Sequence, residues 1–307
     1  MDRRKFIKSM AVGAAATAVP LNQSDASFFD TFFQKYYREM TKEEKEEVVQ
    51  RLEAEYKAKY GKDIKVGTEE HIPGVLFGYA LDLSRCIGCR RCVYACVTEN
   101  NQSRNPQIHY IQVLRFRRGT SEGEHWIAGA SGVSNLEESV KYYDPPLVPQ
   151  EEHFYMPVQC QQCENPPCVK ACPTQATYKT RDGIVVVDYN WCIGCRYCMA
   201  ACPYDARKLN WAEPYIPKEQ INPVTHYLGN RPRMKGCVEK CFFCIQRVRA
   251  KERRYPACVE ICPVGARKFG NLLDPSSEIR YIMAHERVFR LKEELNTSPK
   301  FFYFFSI

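Results

Sequence analysis

The stretch Cys192-Ile193-Gly194-Cys195-Arg196-Tyr197-Cys198-Met199-Ala200-Ala201-Cys202-Pro203 decides how the rest of the chain is read. Its spacing is C-x2-C-x2-C-x3-C-P, in which three thiolates wrap the irons of one [4Fe–4S] cubane and the fourth serves a neighbouring cluster. Gly194 suits a loop that must aim backbone amides at sulfur with few Cβ atoms in the way. Pro203 closes the loop and removes an N–H donor that would find no partner. The spacing places Cys202 at a helix start, pointing away from the first three thiols.

Three further runs repeat the pattern, and a repeat is read before any secondary structure. They are Cys86-x2-Cys89-x2-Cys92-x3-Cys96, Cys160-x2-Cys163-x4-Cys168-x3-Cys172-Pro173 and Cys241-x2-Cys244-x13-Cys258-x3-Cys262-Pro263. Together the four runs use sixteen of the 17 cysteines and leave Cys237 over. The segments "CPTQATYKTRDGIVVVD", "CPYDARKLN" and "CPVGARKFG" follow three of the fourth cysteines, so the repeat extends beyond the thiols.

At 307 residues with 19 prolines, the chain reads as a loop-rich body of one large or two small domains. Metal-ligand free energy then becomes folding free energy, and the apo chain is expected to fold poorly. The formal charge of +8 invites a nucleic-acid reading. Removing residues 1–26 takes away Arg3, Arg4, Lys5 and Lys8 against Asp2 and Asp25, which leaves +6. Four oxidised cubanes at roughly −2 each contribute about −8, so the basic excess reads as compensation for buried anions.

Residues 1–26 read as an export signal, with Arg3-Arg4-Lys5-Phe6-Ile7-Lys8 in the twin-arginine pattern and a short apolar segment to Val19. The bland alternative is a basic N-terminal arm. Such a route carries folded proteins, as clusters assembled in the cytoplasm require. No stretch reaches the length of apolar sequence that a spanning helix needs.

Phe28, Phe29, Phe32, Phe33, Tyr36 and Tyr37 gather on one side of a candidate helix. Thr41 with Glu44 predicts a capping box for a second helix, Lys42 to Tyr60, stopped by Gly61, with Val48, Leu52, Tyr56 and Tyr60 on its inner face. Both helices are expected to cover the chain's own core. Strands are expected over Val75–Leu83 and Ile108–Phe116, and a hairpin around Arg181-Asp182-Gly183. Residues 117–155 and 213–236 read as insertions without regular structure. His109, His125 and His153 stand outside any ligand spacing and are left unassigned. The gap between Cys244 and Cys258 carries Arg247, Arg249, Lys251, Arg253 and Arg254 and reads as a solvated charged loop. Phe301-Phe302-Tyr303-Phe304-Phe305 is expected to lie as a strand on the body or in a partner, since exposed it would be a pairing hazard.

With these residues in view, about residues 75–305 resemble the four-cluster iron–sulfur subunits of bacterial respiratory complexes. The family includes subunits of DMSO, polysulfide and tetrathionate reductases, the iron–sulfur protein of formate-dependent nitrite reductase, and the iron–sulfur part of alternative complex III. The order of the four runs, the long gap in the fourth and the ending "NLLDPSSEIRYIMAHERVFRLKEELNTSPKFFYF" carry the likeness. It implies an α+β fold of two ferredoxin-like dicluster halves, the first run paired with the fourth and the second with the third. On this chain the pairing implies that Cys86, Cys89 and Cys92 join Cys262, while Cys241, Cys244 and Cys258 join Cys96. It likewise implies that Cys160, Cys163 and Cys168 join Cys202, while Cys192, Cys195 and Cys198 join Cys172. Every ligand position is filled, so four [4Fe–4S] clusters are expected rather than a [3Fe–4S] variant. Val97 departs from the proline that follows the other fourth cysteines, and Cys237 is a competitor for the place of Cys241.

The expected organisation is a signal over 1–26, a helical extension over 27–74, a four-cluster domain over 75–270 and a tail over 271–307. The expected function is a one-electron relay with no catalysis of its own. The family likeness implies partners on two sides, an integral membrane quinone-interacting subunit and a molybdopterin-containing or multihaem cytochrome subunit, with the protein at the periplasmic face. No nucleic acid and no membrane span of its own are expected. The rivals are an exported binding protein stapled by disulfides or one built on structural zinc. Thiols two residues apart make poor disulfide geometry, and zinc seldom uses the four-sulfur run.

Overall fold

The computed structural model describes residues 41–117, 126–128 and 148–306. The twin-arginine segment, the aromatic stretch over 27–40, His125 and most of the 117–155 insertion lie outside the described residues. Residues 1–48 and 49–307 form two units. Helix α1 (Lys42–Tyr60) begins at the expected capping box: Glu44 N donates to Thr41 Oγ1 at 3.3 Å and Thr41 N to Glu44 Oε2 at 2.9 Å. It ends at Gly61, whose φ of 68° turns its N–H back to the Lys57 carbonyl at 2.9 Å. Leu52, Tyr56 and Tyr60 are buried. Tyr56 Oη donates to the Pro232 carbonyl at 3.2 Å, so the later turns cover the chain's own body as expected.

Short elements follow: β1 (Lys65–Gly67), β2 (Phe77–Asp82), α2 (Arg91–Glu99), β3 (Gln112–Arg117), β4 (Trp126–Ala128), β5 (His153–Val158), α3 (Pro167–Lys170), β6 (Thr177–Lys179) and β7 (Val185–Val187). Then come α4 (Tyr197–Ala200), β8 (Lys208–Leu209), β9 (Val224–His226), β10 (Val238–Glu239), α5 (Ile245–Val248), α6 (Ala257–Glu260), β11 (Arg267–Asn271), α7 (Glu278–His285) and β12 (Phe301–Phe304). The fold is α+β, a set of small sheets strung between cysteine loops.

The sheet that organises the body has the order β11-β2-β12. Strand β2 is buried along its whole length, antiparallel to β11 (Leu81 opposite Arg267) and parallel to β12 (Tyr79 opposite Phe301). Alternation along these strands feeds two cores. Tyr79 and Phe301 stack 4.6 Å apart in the main core, whereas Ala80, Phe302 and Phe304 pack on Ile279 and Ile282 of α7. The aromatic ending therefore lies on the body itself, and the tail roofs the far face of the central sheet. The expected hairpin is β6 against β7, antiparallel, with Gly183 at φ 83° in its turn.

Three expectations change. The 117–155 segment is not without strands, since β4 and the start of β5 pair on either side of β3. The 213–236 connection contributes β9, which runs parallel to β1. The basic gap is solvated only in part: Lys251, Arg253 and Arg254 are exposed, whereas Arg247 and Arg249 turn inward. Arg249 is buried in an ion pair with Asp182, and Arg247 meets Glu99 at 2.9 Å and also Glu260. A guanidinium that finds a carboxylate across the fold gains more inside than in water, and charge counting along one segment does not see that partner.

Candidate metal centres

Each cysteine run is built by the same backbone device. The residue directly before the second cysteine is left-handed in all four: Gly88 (φ 72°), Gln162 (φ 47°), Gly194 (φ 72°) and Phe243 (φ 56°). That turn swings an N–H onto the first thiol, as Gly88 does to Cys86 and Phe243 to Cys241. In the second, third and fourth runs the third cysteine sits on a one-turn helix, Cys168 in α3, Cys198 in α4 and Cys258 in α6. The fourth cysteine follows just past the end of that helix, which corrects the expected position at a helix start. The proline behind it cannot continue a helical ladder. In the first run Val97 stands in place of that proline, and α2 continues through Cys92 and Cys96 to Glu99.

The tertiary structure brings cysteines from distant runs together. Cys86, Cys89, Cys92 and Cys262 line one pocket, and Cys160, Cys163, Cys168 and Cys202 line another. Cys96 faces Cys241, Cys244 and Cys258, with Asn100 Nδ2 3.4 Å from Cys96 Sγ and 3.6 Å from Cys244 Sγ. Cys198 faces Cys192 and Cys172, and Cys195 lies in the same loop. The first three neighbourhoods collect cysteines of separate runs, and in the last Cys172 of the second run lies beside Cys192 and Cys198 of the third.

The donor set fits anionic sulfur. N–H groups aim at thiol sulfur from Arg207 onto Cys168 (3.0 Å), Arg267 onto Cys92 (3.2 Å), Gln102 onto Cys96 (3.2 Å) and the backbone of Val238 onto Cys192 (3.4 Å). All seventeen cysteines are free of disulfide links. Among the described residues no three thiols, imidazoles or carboxylates converge on a point where a single ion would sit. Thiols spread around a cavity suit a multi-atom cluster rather than one tetrahedral zinc. Burial pushes the Cys86, Cys163 and Cys241 thiols up to about 12 and Cys198 to about 11, so loading the sites with metal releases protons.

Cys237 is fully buried. It packs with Val187, Tyr189 and Cys192, and its Sγ donates to the Met234 carbonyl at 3.1 Å. His109 is buried, and His153 Nδ1 lies 2.6 Å from the Glu151 carbonyl. Sequence reasoning names no site residue other than cysteine. It passes over Arg207, Arg267, Asn100 and Gln102, although the repeated Ala-Arg-Lys in "CPYDARKLN" and "CPVGARKFG" marks both arginines at the same distance from a fourth cysteine.

Comparison with known proteins agrees with this geometry. The 4Fe-4S dicluster domain family matches residues 151–222, and a second family of the same description matches 191–267. The chain is 37% identical to the Hdr-like menaquinol oxidoreductase iron–sulfur subunit 1 of Archaeoglobus fulgidus, over 73% of this chain and 81% of that one. It is 34% identical to the iron–sulfur cluster-binding subunit of menaquinone reductase from Nitratidesulfovibrio vulgaris, over 75% of this chain and 88% of that one. Identity to the iron–sulfur subunit of the arsenate respiratory reductase of a Shewanella species is 31%, over 74% of this chain and 94% of that one. With its cysteine groups, its α+β frame and these relatives, the chain belongs to the ferredoxin-type [4Fe–4S] iron–sulfur subunits of reductase complexes, which transfer electrons and are not themselves the catalytic subunit.

Proposed function

We propose that the sixteen grouped cysteines hold four [4Fe–4S] clusters, and that the chain relays single electrons between two partner subunits. One partner is an integral membrane quinone-reactive subunit and the other a catalytic molybdopterin-containing or multihaem cytochrome subunit. The observation that carries this reading is the continuity of the sulfur groups. Cys92 and Cys258 are joined through Arg267 and Tyr79, Cys160 lies near Cys241 across the halves, and Arg207, bonded to Cys168, lies near Cys198.

When bound, the clusters supply one-electron redox states at potentials that sulfur hydrogen bonding and burial adjust. The chain's own part is to hold, dry and charge-balance them. The thiolates bind, the left-handed turns aim amides at sulfur, and the central sheet with the β12 strand excludes water from the first and fourth runs. The relatives supply the partner classes by their names, a menaquinol oxidoreductase, a menaquinone reductase and an arsenate respiratory reductase. No described helix is long and apolar enough to cross a membrane, and a separate membrane subunit fits that observation. The twin-arginine pattern supports action on the outer face of the cytoplasmic membrane.

Iron and acid-labile sulfide analysis of the anaerobically purified chain tests the core of the reading. About sixteen irons per chain are expected, and a content near zero ends it. Affinity purification from solubilised membranes tests the partners, with co-purification of a quinone-reactive membrane protein as the expected result. A fusion of residues 1–30 to a reporter tests export, and a reporter retained in the cytoplasm overturns that part alone.

A further inference from the structure

The four thiol groups fall into two adjoining pairs, and each pair encloses one buried arginine. In the first pair Arg267 Nη2 lies 3.2 Å from Cys92 Sγ, and its Nη1 donates to Tyr79 Oη at 2.9 Å. Tyr79 Oη in turn lies 3.4 Å from Cys258 Sγ, so one guanidinium and one phenol span from group to group. In the second pair Arg207 Nη2 lies 3.0 Å from Cys168 Sγ and Nη1 donates to Thr177 Oγ1 at 3.0 Å. The same guanidinium lies close to the Cys198 thiol of the adjoining group, and among the described residues its buried Nε has no hydrogen-bond partner.

Two features set these arginines apart. Both are buried, at 3% and 1% exposure, and among the described residues neither meets a carboxylate, unlike the buried Arg233 and Arg249. The buried Arg231 also lacks one, but it is held by the Tyr227 carbonyl, Tyr56 and Asn190 rather than by sulfur. A buried cation without an anion is costly, and at both places the neighbouring groups that can carry negative charge are the cysteine sulfurs. Both also occupy the fifth position after a fourth cysteine, Cys262 and Cys202. The corresponding positions after Cys172 and Cys96 hold Thr177 and Asn101. The device therefore occurs once per pair and not once per cluster.

We infer that Arg267 and Arg207 are internal counter-ions, each shared by the two clusters of its pair, and that they set the potentials of those pairs. A fixed positive charge favours the more negative, reduced form of both neighbours and so raises both potentials. It also offsets the repulsion that an electron on one cluster exerts on the next. This rests on the proposal that the groups hold [4Fe–4S] clusters, and the test separates the two.

The test is an EPR-monitored redox titration of the purified, cluster-loaded full chain, wild type against Arg207→Gln, Arg207→Lys, Arg267→Gln and Arg267→Lys. Each Gln variant is expected to keep its iron and to lower two of the four potentials, by about tenfold in the one-electron equilibrium or ~59 mV. The two affected couples differ between the Arg207 and Arg267 variants, and the Lys variants fall between Gln and wild type. Full iron content with all four potentials unmoved overturns the inference, as does a uniform shift of all four. Should a Gln variant lose iron, Arg207→Met or Arg267→Met at that position, which also removes the charge but keeps an unbranched stem, decides by the same criterion, two lowered couples supporting the inference and none overturning it. A wild-type chain that binds no iron overturns both readings, a result distinct from loaded clusters at unchanged potentials.

Discussion

Arg249 and Asp182 meet in a two-pronged ion pair, Nε to Oδ2 and Nη2 to Oδ1 each at 2.8 Å, with side-chain exposures of 2% and 0%. Sixty-seven residues separate them, so the pair ties the gap inside the fourth run to the hairpin between the second and third. Arg249→Ala leaves a buried carboxylate without its partner. A loss of about 3–5 kcal/mol in unfolding free energy is expected, read from the denaturant midpoint by circular dichroism. The double variant Arg249→Met with Asp182→Asn removes both charges and is expected to lose less. An Arg249→Ala midpoint at the wild-type value contradicts the assignment.

Gly88 has a φ of 72°, and a Cβ placed there would lie 2.3 Å from Cδ1 of Tyr155. Gly88→Ala therefore carries both a backbone cost of about 1–2 kcal/mol and a clash with a buried ring. The loop from Cys86 to Cys92 is expected to open, with iron content falling by about four per chain, one cluster's complement. Full iron retention by this variant contradicts the close approach.

Cys237 packs with Val187, Tyr189 and Cys192, whereas Cys241 faces Cys258 and the Cys96 group. Cys237→Ser is expected to leave iron content unchanged, because a hydroxyl replaces the thiol that donates to the Met234 carbonyl. Cys241→Ser is expected to lower it. Iron analysis of the two variants side by side decides, and the reverse pattern exchanges the roles of the two thiols.

His226 is buried, and burial is the main reason its imidazole is held down to about 4. Leu228 N donates to Nδ1 at 3.0 Å, which leaves Nε2 to donate to the Glu69 carbonyl at 2.9 Å. The neutral ring thus satisfies both neighbours, and Glu69 Oε2 at 3.8 Å is no ion-pair partner for it. The unfolded chain takes up this proton near pH 6.5, whereas the folded chain resists until about 4. Stability is therefore full above the unfolded value and falls as pH drops from about 6.5 to about 4, by about 3 kcal/mol in all. His226→Gln is expected to flatten that part of the pH profile of the unfolding midpoint, and a profile identical to wild type contradicts the account.

The α1 helix and the hairpin were legible because their signals are local. Thr41, Glu44 and Gly61 cap one segment, and Asp182-Gly183 turns the other. The thiol runs were legible for the same reason, since three sulfurs of each group are close along the chain or, around the 13-residue gap, still marked by their repeat. Arg249 and the β12 strand were not. The carboxylate that takes Arg249 inside lies in another loop, and Phe301–Phe304 finds its place only because β2 leaves an edge open between the chain's own layers.

By itself the sequence determined the chemistry, because soft sulfur at fixed short spacing has few uses and [4Fe–4S] binding is the one that accounts for sixteen of the 17 thiols. The tertiary structure alone decided which runs share a cavity, where the tail lies, and that two arginines without carboxylates sit between pairs of sulfur groups. The physical reason is range. Ligand spacing and turn propensity act over a few residues, whereas charge balance in a dry interior is settled only between segments that folding brings into contact.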